Sequence, residues 1–420
     1  MIPVEQALET ILRSVEPMPP EKVSLLEARG RVLAEDVAAP RDLPPQDNSA
    51  MDGYAFRFLD VPSAPGRLRV TEAIAAGGRG VRPVGPGQAA RIMTGAPIPE
   101  GADTVVPVED TRTEGDEVTL VAVPARGANV RLAGEDVRRG ERVLPGGTVV
   151  RAAEVGMLAS LGRSFVLVHQ RPRVAILATG DEIADLDAPA DPAKIVNSNT
   201  YGVAAQVAEA GGVAVMLGIG RDDPDGLLEM LERAATADVV LTTGGVSMGD
   251  YDHVKGVFDR WGVVAHFWKV AIKPGKPMVF GVRGKAPVFG LPGNPVSALV
   301  AFEEFVRPVL RRLQGHRRLF RPVVEAILGE EAGAVTTKPG RMDFVRCRVE
   351  RAAPPLGFRV VSVKRQGAGL LKTLVEANGL LVLSEASTGA KPGDRVRVQL
   401  YDYEFLEGID ADLRDAAAGG

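Results

Sequence analysis

The chain has 420 residues, which at roughly 150 residues per domain favours about three domains. Apolar residues make up 45% and charged residues 25%, close to the globular average, which argues against a disordered or fibrous protein. The 50 basic and 54 acidic side chains give a net charge of −4, so no general attraction to nucleic acid or to an anionic membrane is expected.

Residues 4–15 carry apolar side chains at helical spacing and predict an N-terminal helix. This segment contains Glu5 and lacks the basic start and apolar core of a secretory signal. No run of about 18 apolar residues follows, so no transmembrane helix is expected. The single cysteine, Cys347, excludes an internal disulfide and a cysteine-based metal cluster, and a reducing compartment fits. These features predict a soluble, cytoplasmic protein.

From Pro40 to about Thr148, short β-branched runs alternate with Gly and Pro, which predicts an all-β module. A second helix is predicted over 151–161. Because one helical element precedes the β module and another follows it, the module is expected to be inserted into a discontinuous first domain. From Arg171 onward, strand-like and helix-like segments alternate, as in a parallel sheet covered by helices on both faces.

The last α/β repeat has the clearest sequence signals for its strand and its helix. A buried strand ends near Pro292, Asn294 suits the N-cap, Pro295 suits the first helical position, and an apolar stripe continues to Leu310. Residues 322–405 return to short strands with Gly and Pro turns, which predicts a small β-barrel or sandwich.

Ligands of an open α/β sheet bind beyond the carboxyl ends of its strands. The loops expected there combine glycines, acids and lysines; they lie at 179–182, 218–223, 242–252, 269–276 and 290–295. Glycines let backbone N–H groups approach an anion, although each loop is equally well interpreted as a tight turn. Neither TTGGVS nor GLPGNP fits the Walker or G-x-G-x-x-G pattern, which disfavours ordinary nucleotide chemistry.

Acids and lysines at one rim suggest a magnesium-bridged phosphate. Glu182, Asp222 and Asp252 are the acids of choice, although each alone is also typical of a helix cap or surface. Lys269 and Lys273 lie in an apolar stretch, where a lysine must snorkel, pair or bind a ligand.

A second cluster lies in the β module, at 44–55, 91–97 and 134–136. Within it Asp52 is interpreted either as a functional acid or as an Asx turn before Gly53. The four histidines show no paired metal spacing and are interpreted as structural or surface residues; they are His169, His253, His266 and His316.

Taken together, these segments resemble the MoeA-type molybdopterin molybdenumtransferases, the family that includes the E domain of gephyrin. The match is carried, in order along nearly the whole chain, by DNSAMDGYA (47–55), RIMTGAPIPEGAD (91–103), GEDV (134–137), LATGDEI (177–183), NSNTY (197–201), GIGRDDP (218–224), TTGGVSMGDYD (242–252), FWKVAIKPGKP (267–277), GLPGNPVSA (290–298) and PGRMDFVR (339–346).

The resemblance implies a multidomain α/β plus β fold with four domains. These are a discontinuous N-terminal helical domain at 1–40 and 140–170, an inserted β-rich domain at 41–139, a molybdopterin-binding three-layer α/β domain at 171–318 and a C-terminal β-barrel at 319–406. It also implies an elongated homodimer, in which the α/β domain of one subunit and the β module of the other share the active site. The protein partners it implies are the molybdopterin adenylyltransferase and molybdoenzyme chaperones, with no nucleic acid and no membrane.

The implied reaction inserts molybdate into adenylylated molybdopterin (molybdopterin-AMP), with Mg²⁺ present and AMP released. The residues that match the family's catalytic positions are Asp52, Asp136, Glu182, Asp222, Asp252, Lys269 and Lys273, of which Glu182 and Asp252 would hold the metal. Those expected to bind the substrate are Thr94, Thr179, Gly180, Asp181, Gly244, Gly245, Ser247, Lys276, Pro292, Gly293, Asn294 and Arg346.

Lys269, Lys273 and Arg346 can neutralise the molybdate dianion. No Cys or Ser–His pair occurs in these motifs, which favours a step without a covalent enzyme intermediate. Ala368 stands where many relatives have a serine, so a hydroxyl contact from the C-terminal domain is missing. Three alternatives stay open: the preceding adenylyltransfer, a non-catalytic scaffold of the same fold, and a preference for tungstate.

Overall fold

The computed structural model describes residues 1–78, 80, 82–246, 254–352, 357–363, 365–403 and 406. The chain forms two compact units. One comprises Met1–Glu21, Gly30–Ala34 and Leu167–Gly420, and the other comprises Lys22–Arg29 and Glu35–Val166. Within the described ranges, no helix has the length and apolar character that crossing a membrane requires.

The second unit is built on a six-stranded sheet. In spatial order its strands are Thr104–Pro107, Gly53–Phe56, Gln88–Ile92, Gly66–Ile74, Glu117–Leu120 and Thr111–Glu114. Apolar side chains cover both faces: Tyr54 and Phe56 pack in one cluster, and Ala55 packs in the other. Successive residues of a strand point to opposite faces, so every position of Gly53–Phe56 is buried. The predicted β module is confirmed.

Short elements complete this unit. Asn48–Ser49 pairs with Val130–Arg131, Val37–Ala38 pairs with Arg142–Leu144, and the predicted second helix is Ala152–Ser160. Two further strands, Pro20–Ser24 and Phe165–His169, carry residues of both units.

The first unit contains the α/β sheet. In spatial order its strands are Val213–Gly220, Arg173–Thr179, Val239–Thr243, Ala286–Leu291, Pro277–Arg283 and Val264–Lys269. The first four are parallel, as predicted, whereas the last two pair antiparallel. The difference arises at Gly284, whose φ of +60° allows a two-residue turn from Arg283 to Ala286. Parallel strands need a longer crossover connection.

Helices cover both faces of this sheet. Val4–Arg13, Ser198–Glu209, Pro295–Ala301 and Arg307–Leu313 pack on the face of Val174 and Ile176. Pro224–Arg233 and Val254–Arg260 pack on the face of Ala175 and Leu177. Because the strands are buried on two sides, they read as unbroken apolar runs.

The apolar stripe after Pro295 is not one regular helix. Phe302–Val306 forms a π-helical turn, in which the Arg307 N–H donates to the Phe302 carbonyl. Pro308 accounts for the interruption, because it has no N–H to donate to the carbonyl four residues earlier. Asn294 occupies the N-cap position as predicted, but its side chain makes no capping hydrogen bond.

A closed five-stranded barrel follows. Its strands, in order around the barrel, are Met342–Arg351, Phe358–Ser362, Val323–Leu328, Arg395–Leu400 and Gly379–Leu383, and the last pairs again with the first. Ile272–Lys273 adds to Met342–Arg351 in parallel. Smaller elements are the pair Val335–Thr336 and Gly389–Ala390, the helix Lys372–Val375, and the parallel pair Ile183–Ala184 and Ile195–Val196.

Candidate active site

Two glycine turns meet at the carboxyl edge of the α/β sheet. The strands that precede them are neighbours, and the Gly244 N–H donates to the Leu291 carbonyl at 3.1 Å. Gly244 has φ +93°, and a Cβ there would lie 2.6 Å from the Thr179 carbonyl oxygen. A Cβ on Gly293 would lie 3.6 Å from Gly244 Cα. Glycine is therefore required at 244, and the turns TTGG and LPGN are in contact.

The turns border a cleft of about 670 Å³, a size typical of small-molecule sites. It gathers seven of the predicted site residues: Thr179, Glu182, Gly244, Gly245, Pro292, Gly293 and Asn294. Its lining also includes the exposed side chains of Ile195 and Val196, and Gly369 and Leu371 from the region after the first barrel strands. One wall is thus apolar while the floor is built from turns and small polar residues.

Asn199 is a lining residue that the sequence did not assign to the site. Its side-chain amide donates from Nδ2 to the Gly293 carbonyl at 2.7 Å, which fastens the LPGN turn to the helix Ser198–Glu209. Asn197 begins that helix by accepting the Thr200 N–H at 3.2 Å. The NSNTY motif at 197–201 was the available signal, but its role depends on a turn 94 residues away.

The acids of the rim differ in their surroundings. Glu182 is exposed at the cleft. Asp181 and Asp222 form a reciprocal pair, in which each carboxylate accepts the other's backbone N–H at 3.3 Å. Asp222 therefore ties the first loop to the second. The predicted Ser247 and Asp252 lie outside the described residues.

No group of three His, Cys, Asp or Glu side chains gathers as a metal site in the part of the chain that is described. Magnesium, however, is usually held by one or two carboxylates together with substrate phosphates. Glu182, an exposed carboxylate beside the glycine turns, fits one place in such a set.

The predicted cations are not among the described residues that line the cleft. Lys273 donates from Nζ to Asp343 Oδ2 at 2.7 Å. Lys269 is partly buried, and its carbonyl accepts the Ile2 N–H at 3.1 Å. Lys276 is exposed, and its carbonyl accepts the Val270 N–H.

Arg346 is 2% exposed, and its guanidinium donates hydrogen bonds to other groups of the protein. Its Nε donates to Thr373 Oγ1 at 2.8 Å, and its Nη2 donates to the carbonyls of Arg365 and Gly367. Burial lowers the pKa of this guanidinium. The segment that it holds continues to Ala368, whose carbonyl accepts the Val296 N–H at 3.1 Å. In this structure Arg346 supports a loop beside the cleft, where the sequence predicted a molybdate contact.

The structure also brings together the three predicted segments of the β-rich unit. Asp52 Oδ1 accepts both the N–H and the hydroxyl of Thr94, each at 2.7 Å, and these bonds lower the pKa of the carboxyl. Because Thr94 is 42 residues away, these bonds are not those of an Asx turn. Asp136 is exposed, and its N–H donates to the Leu43 carbonyl.

Three histidines make contacts within the protein. His169 Nδ1 lies 2.8 Å from the Met18 carbonyl, and His266 stacks on Phe280 at 5.6 Å between ring centroids. His316 is buried, which lowers its pKa to about 4. His253 lies outside the described residues.

Comparisons with family models and with curated proteins point to the same family. The chain matches the MoeA N-terminal region (domain I and II) at residues 2–162, a probable molybdopterin binding domain at 175–312 and the MoeA C-terminal region (domain IV) at 329–401. It is 38% identical to molybdopterin molybdenumtransferase 2 of Mycobacterium tuberculosis, over 94% of this chain and 97% of that protein. It is 44% identical to the molybdopterin molybdenumtransferase of Nostoc sp., over 72% of this chain and 71% of that protein.

Among solved structures, the molybdopterin biosynthesis moeA protein of Pyrococcus horikoshii is 34% identical and superimposes with a TM-score of 0.80. The match covers 96% of this chain and 100% of that one. The multidomain α/β plus β fold is therefore confirmed, and the chain belongs to the MoeA family.

Proposed function

We propose that this protein is a molybdopterin molybdenumtransferase of molybdenum cofactor biosynthesis, which inserts molybdate into adenylylated molybdopterin and releases AMP in a Mg²⁺-dependent step. One observation carries the proposal: two glycine turns and Glu182 border a single cleft at the carboxyl edge of the sheet. That cleft lies in a chain whose curated relatives of this name align over most of their length.

The cleft suits a substrate with a flat ring and a charged, phosphate-bearing arm. Gly244, Gly245 and Gly293 carry no side chain, so phosphate oxygens can approach the backbone closely. Ile195 and Val196 offer an apolar surface to a ring system. Asn199 holds the LPGN turn against the helix Ser198–Glu209, and the bond from the Gly244 N–H to the Leu291 carbonyl joins the two glycine turns.

Glu182 is the described residue that fits a magnesium ligand, and the proposal assigns Asp252 to the second place. Bound magnesium would neutralise charge on the phosphate linkage and so favour departure of AMP. The protein's own contribution is positional and electrostatic. Although they do not line the cleft as described, the proposal assigns Lys269 and Lys273 to the oxyanion, and it requires no covalent enzyme intermediate.

The proposal includes a homodimer with a shared active site. In it, Asp52, Thr94 and Asp136 of the β-rich unit serve the α/β site of the partner subunit. Asp52 is suited to this role because the two Thr94 bonds orient its carboxylate and lower its pKa while the side chain stays exposed.

Two incubations of the purified protein test the activity. With adenylylated molybdopterin, molybdate and Mg²⁺, we expect AMP and the molybdenum-containing pterin. With molybdopterin, ATP and Mg²⁺, we expect no adenylylated product, whereas its formation would assign the preceding step instead. A protein inactive in both incubations would leave a scaffold, and the proposal would be wrong.

Glu182→Gln tests the proposed role of Glu182 as a magnesium ligand. We expect this variant to lose at least about tenfold in kcat at low Mg²⁺, because a carboxylate ligand is replaced by a neutral amide. Raised Mg²⁺ should recover part of the rate. Glu331→Gln is the matched control, since that glutamate pairs with Arg359 on the barrel surface and should leave kcat unchanged.

A further inference from the structure

Asp343 is a buried carboxylate that does not line the cleft. It lies in the barrel strand Met342–Arg351 and is 1% exposed. Its Oδ2 accepts hydrogen bonds from Lys273 Nζ, at 2.7 Å, and from the Thr337 hydroxyl. Its Oδ1 is buried and has no hydrogen-bond partner among the described residues.

Stability does not account for this arrangement. Burying a charged carboxylate is costly, and a buried ion pair is rarely better for stability than apolar residues of similar size. Here one carboxylate oxygen also lacks a partner within the described part of the chain, which adds to the cost. A carboxylate that is costly to bury and is tied to a lysine of the proposed site is a candidate for a functional role.

The two partners of the ion pair are buried to different degrees. The side chain of Asp343 is 2% exposed, whereas that of Lys273 is 43% exposed. An ammonium group has three N–H donors. Asp343 engages one of them from the interior, and the exposure of Lys273 leaves its ammonium accessible to a solute.

Backbone register fixes this geometry. Ile272–Lys273 pairs in parallel with the barrel strand, with Lys273 opposite Asp343, and the Met342 N–H donates to the Ala271 carbonyl at 2.8 Å. The backbone pairing therefore holds the two main chains in register independently of the ion pair. Lys273 also lies four residues before Pro277, which lines the cleft.

We propose that Asp343 is a positioning residue, which orients the Lys273 ammonium so that its remaining N–H groups meet the oxyanion substrate. This inference rests on the proposed function. An untethered lysine must be ordered when the anion binds, and that loss of side-chain freedom weakens binding. A lysine already held by a buried carboxylate has lost this freedom in advance, so the role of Asp343 is exerted on molybdate binding through Lys273.

Asp343→Asn tests the role in the full-length protein. We expect the KM for molybdate to rise about tenfold while kcat stays within about twofold, because the amide binds the ammonium more weakly than the carboxylate. An unchanged KM for molybdate would overturn the proposal. The melting temperature of each variant, followed in parallel, reports any general loss of fold.

A double-mutant cycle separates positioning from a purely structural effect. Molybdate binding is measured by titration calorimetry for the wild type, Asp343→Asn, Lys273→Met and the double variant. If Asp343 acts through Lys273, Asp343→Asn should weaken binding in the wild type but not in the Lys273→Met background. Equal weakening in both backgrounds would show that Asp343 acts elsewhere, and the proposal would fall.

Thr337→Val provides a milder variant if Asp343→Asn does not fold. It removes one hydrogen bond to Asp343 Oδ2 and leaves the ion pair, so we expect a smaller rise in the KM for molybdate. No change in that KM would count against the proposal. Glu331→Gln is the control with an exposed barrel ion pair and should behave as wild type. Turnover by the wild type tests the proposed activity, whereas the double-mutant cycle measures molybdate binding alone.

Discussion

Asp52 and Asp343 are acids whose motifs the sequence identifies but whose partners it does not. Asp52 belongs to DNSAMDGYA, and the structure adds that Thr94 donates two hydrogen bonds to its carboxylate. Asp343 belongs to PGRMDFVR, yet it was not assigned to the site, because its contact with Lys273 spans 70 residues. A residue type and its spacing predict which chemistry is available. Which groups meet depends on the register of strands far apart in the chain.

Thr94→Val should raise the pKa of Asp52 toward its ordinary value of 3.8. The variant removes the hydroxyl bond and keeps the backbone bond, both of which lower the pKa in the wild type. A depressed pKa stabilises the fold above the unfolded value, and this contribution is lost as pH falls through the folded value. Because the unfolded value is the same in both proteins, the loss should begin at the same pH, but it should be smaller in the variant and complete at a higher pH.

Carboxyl titration by ¹³C NMR measures this pKa directly. Thr111→Val is the matched control, because the Thr111 hydroxyl donates to the Val108 carbonyl and does not contact Asp52. An Asp52 pKa that is the same in the wild type and in Thr94→Val would contradict the assignment of the hydroxyl bond.

The helices and strands were largely predictable, because apolar periodicity decides them. The structure confirms the N-terminal helix as Val4–Arg13, the parallel strands of the α/β sheet and the barrel. It differs where backbone chemistry outweighs periodicity. Gly284 turns a strand back on itself, and Pro308 interrupts a helix that the apolar stripe predicts as continuous. Apolar periodicity carries no information about the hydrogen bond that is missing at a proline.

The π-helical turn places two successive glutamates in the core, in different surroundings. Glu303 accepts from Arg321 at 2.7 Å and pairs with Arg307 at 3.3 Å. Glu304 has one neutral partner, Gln399, whose Nε2 donates to it at 2.7 Å. Burial first, and then the charge of Glu303, raise the pKa of Glu304 to about 8. Glu304 is therefore mostly protonated at neutral pH.

Glu304→Gln should make the protein less sensitive to pH. A carboxyl whose pKa rises on folding stabilises the fold fully below its unfolded value of 4.5, and this contribution is lost as pH rises to about 8. The slope for one group is at most about 1.4 kcal/mol per pH unit. Glutamine mimics the protonated acid, so the variant should match the wild type below pH 4.5 and be more stable near pH 8.

Urea unfolding at several pH values measures this difference. Glu303→Gln is the matched control, with the same substitution one residue earlier, and it should destabilise at every pH by about 3 kcal/mol because two largely buried arginines lose a carboxylate partner. If Glu304→Gln also destabilised at every pH, Glu304 would be ionised in the folded protein.

At the level of the whole molecule, the residues that the proposal assigns to the site belong to two different compact units. Glu182 and the glycine turns belong to the α/β unit, and Asp52, Thr94 and Asp136 belong to the β-rich unit. Sequence motifs identify both sets but cannot say which chains supply them, because an interface between subunits leaves no period or spacing in one chain. The proposed homodimer resolves this by joining the two sets across subunits.

Heterodimers test the shared site. When Asp52→Asn and Glu182→Gln chains are co-expressed with different tags, a heterodimer purified on both tags keeps one complete shared site, so we expect about half of wild-type activity. A heterodimer of wild type with a chain carrying both substitutions has a defect in each shared site and should be inactive. Sites formed within one chain reverse both results, since the first heterodimer would be inactive and the second would keep about half of the activity.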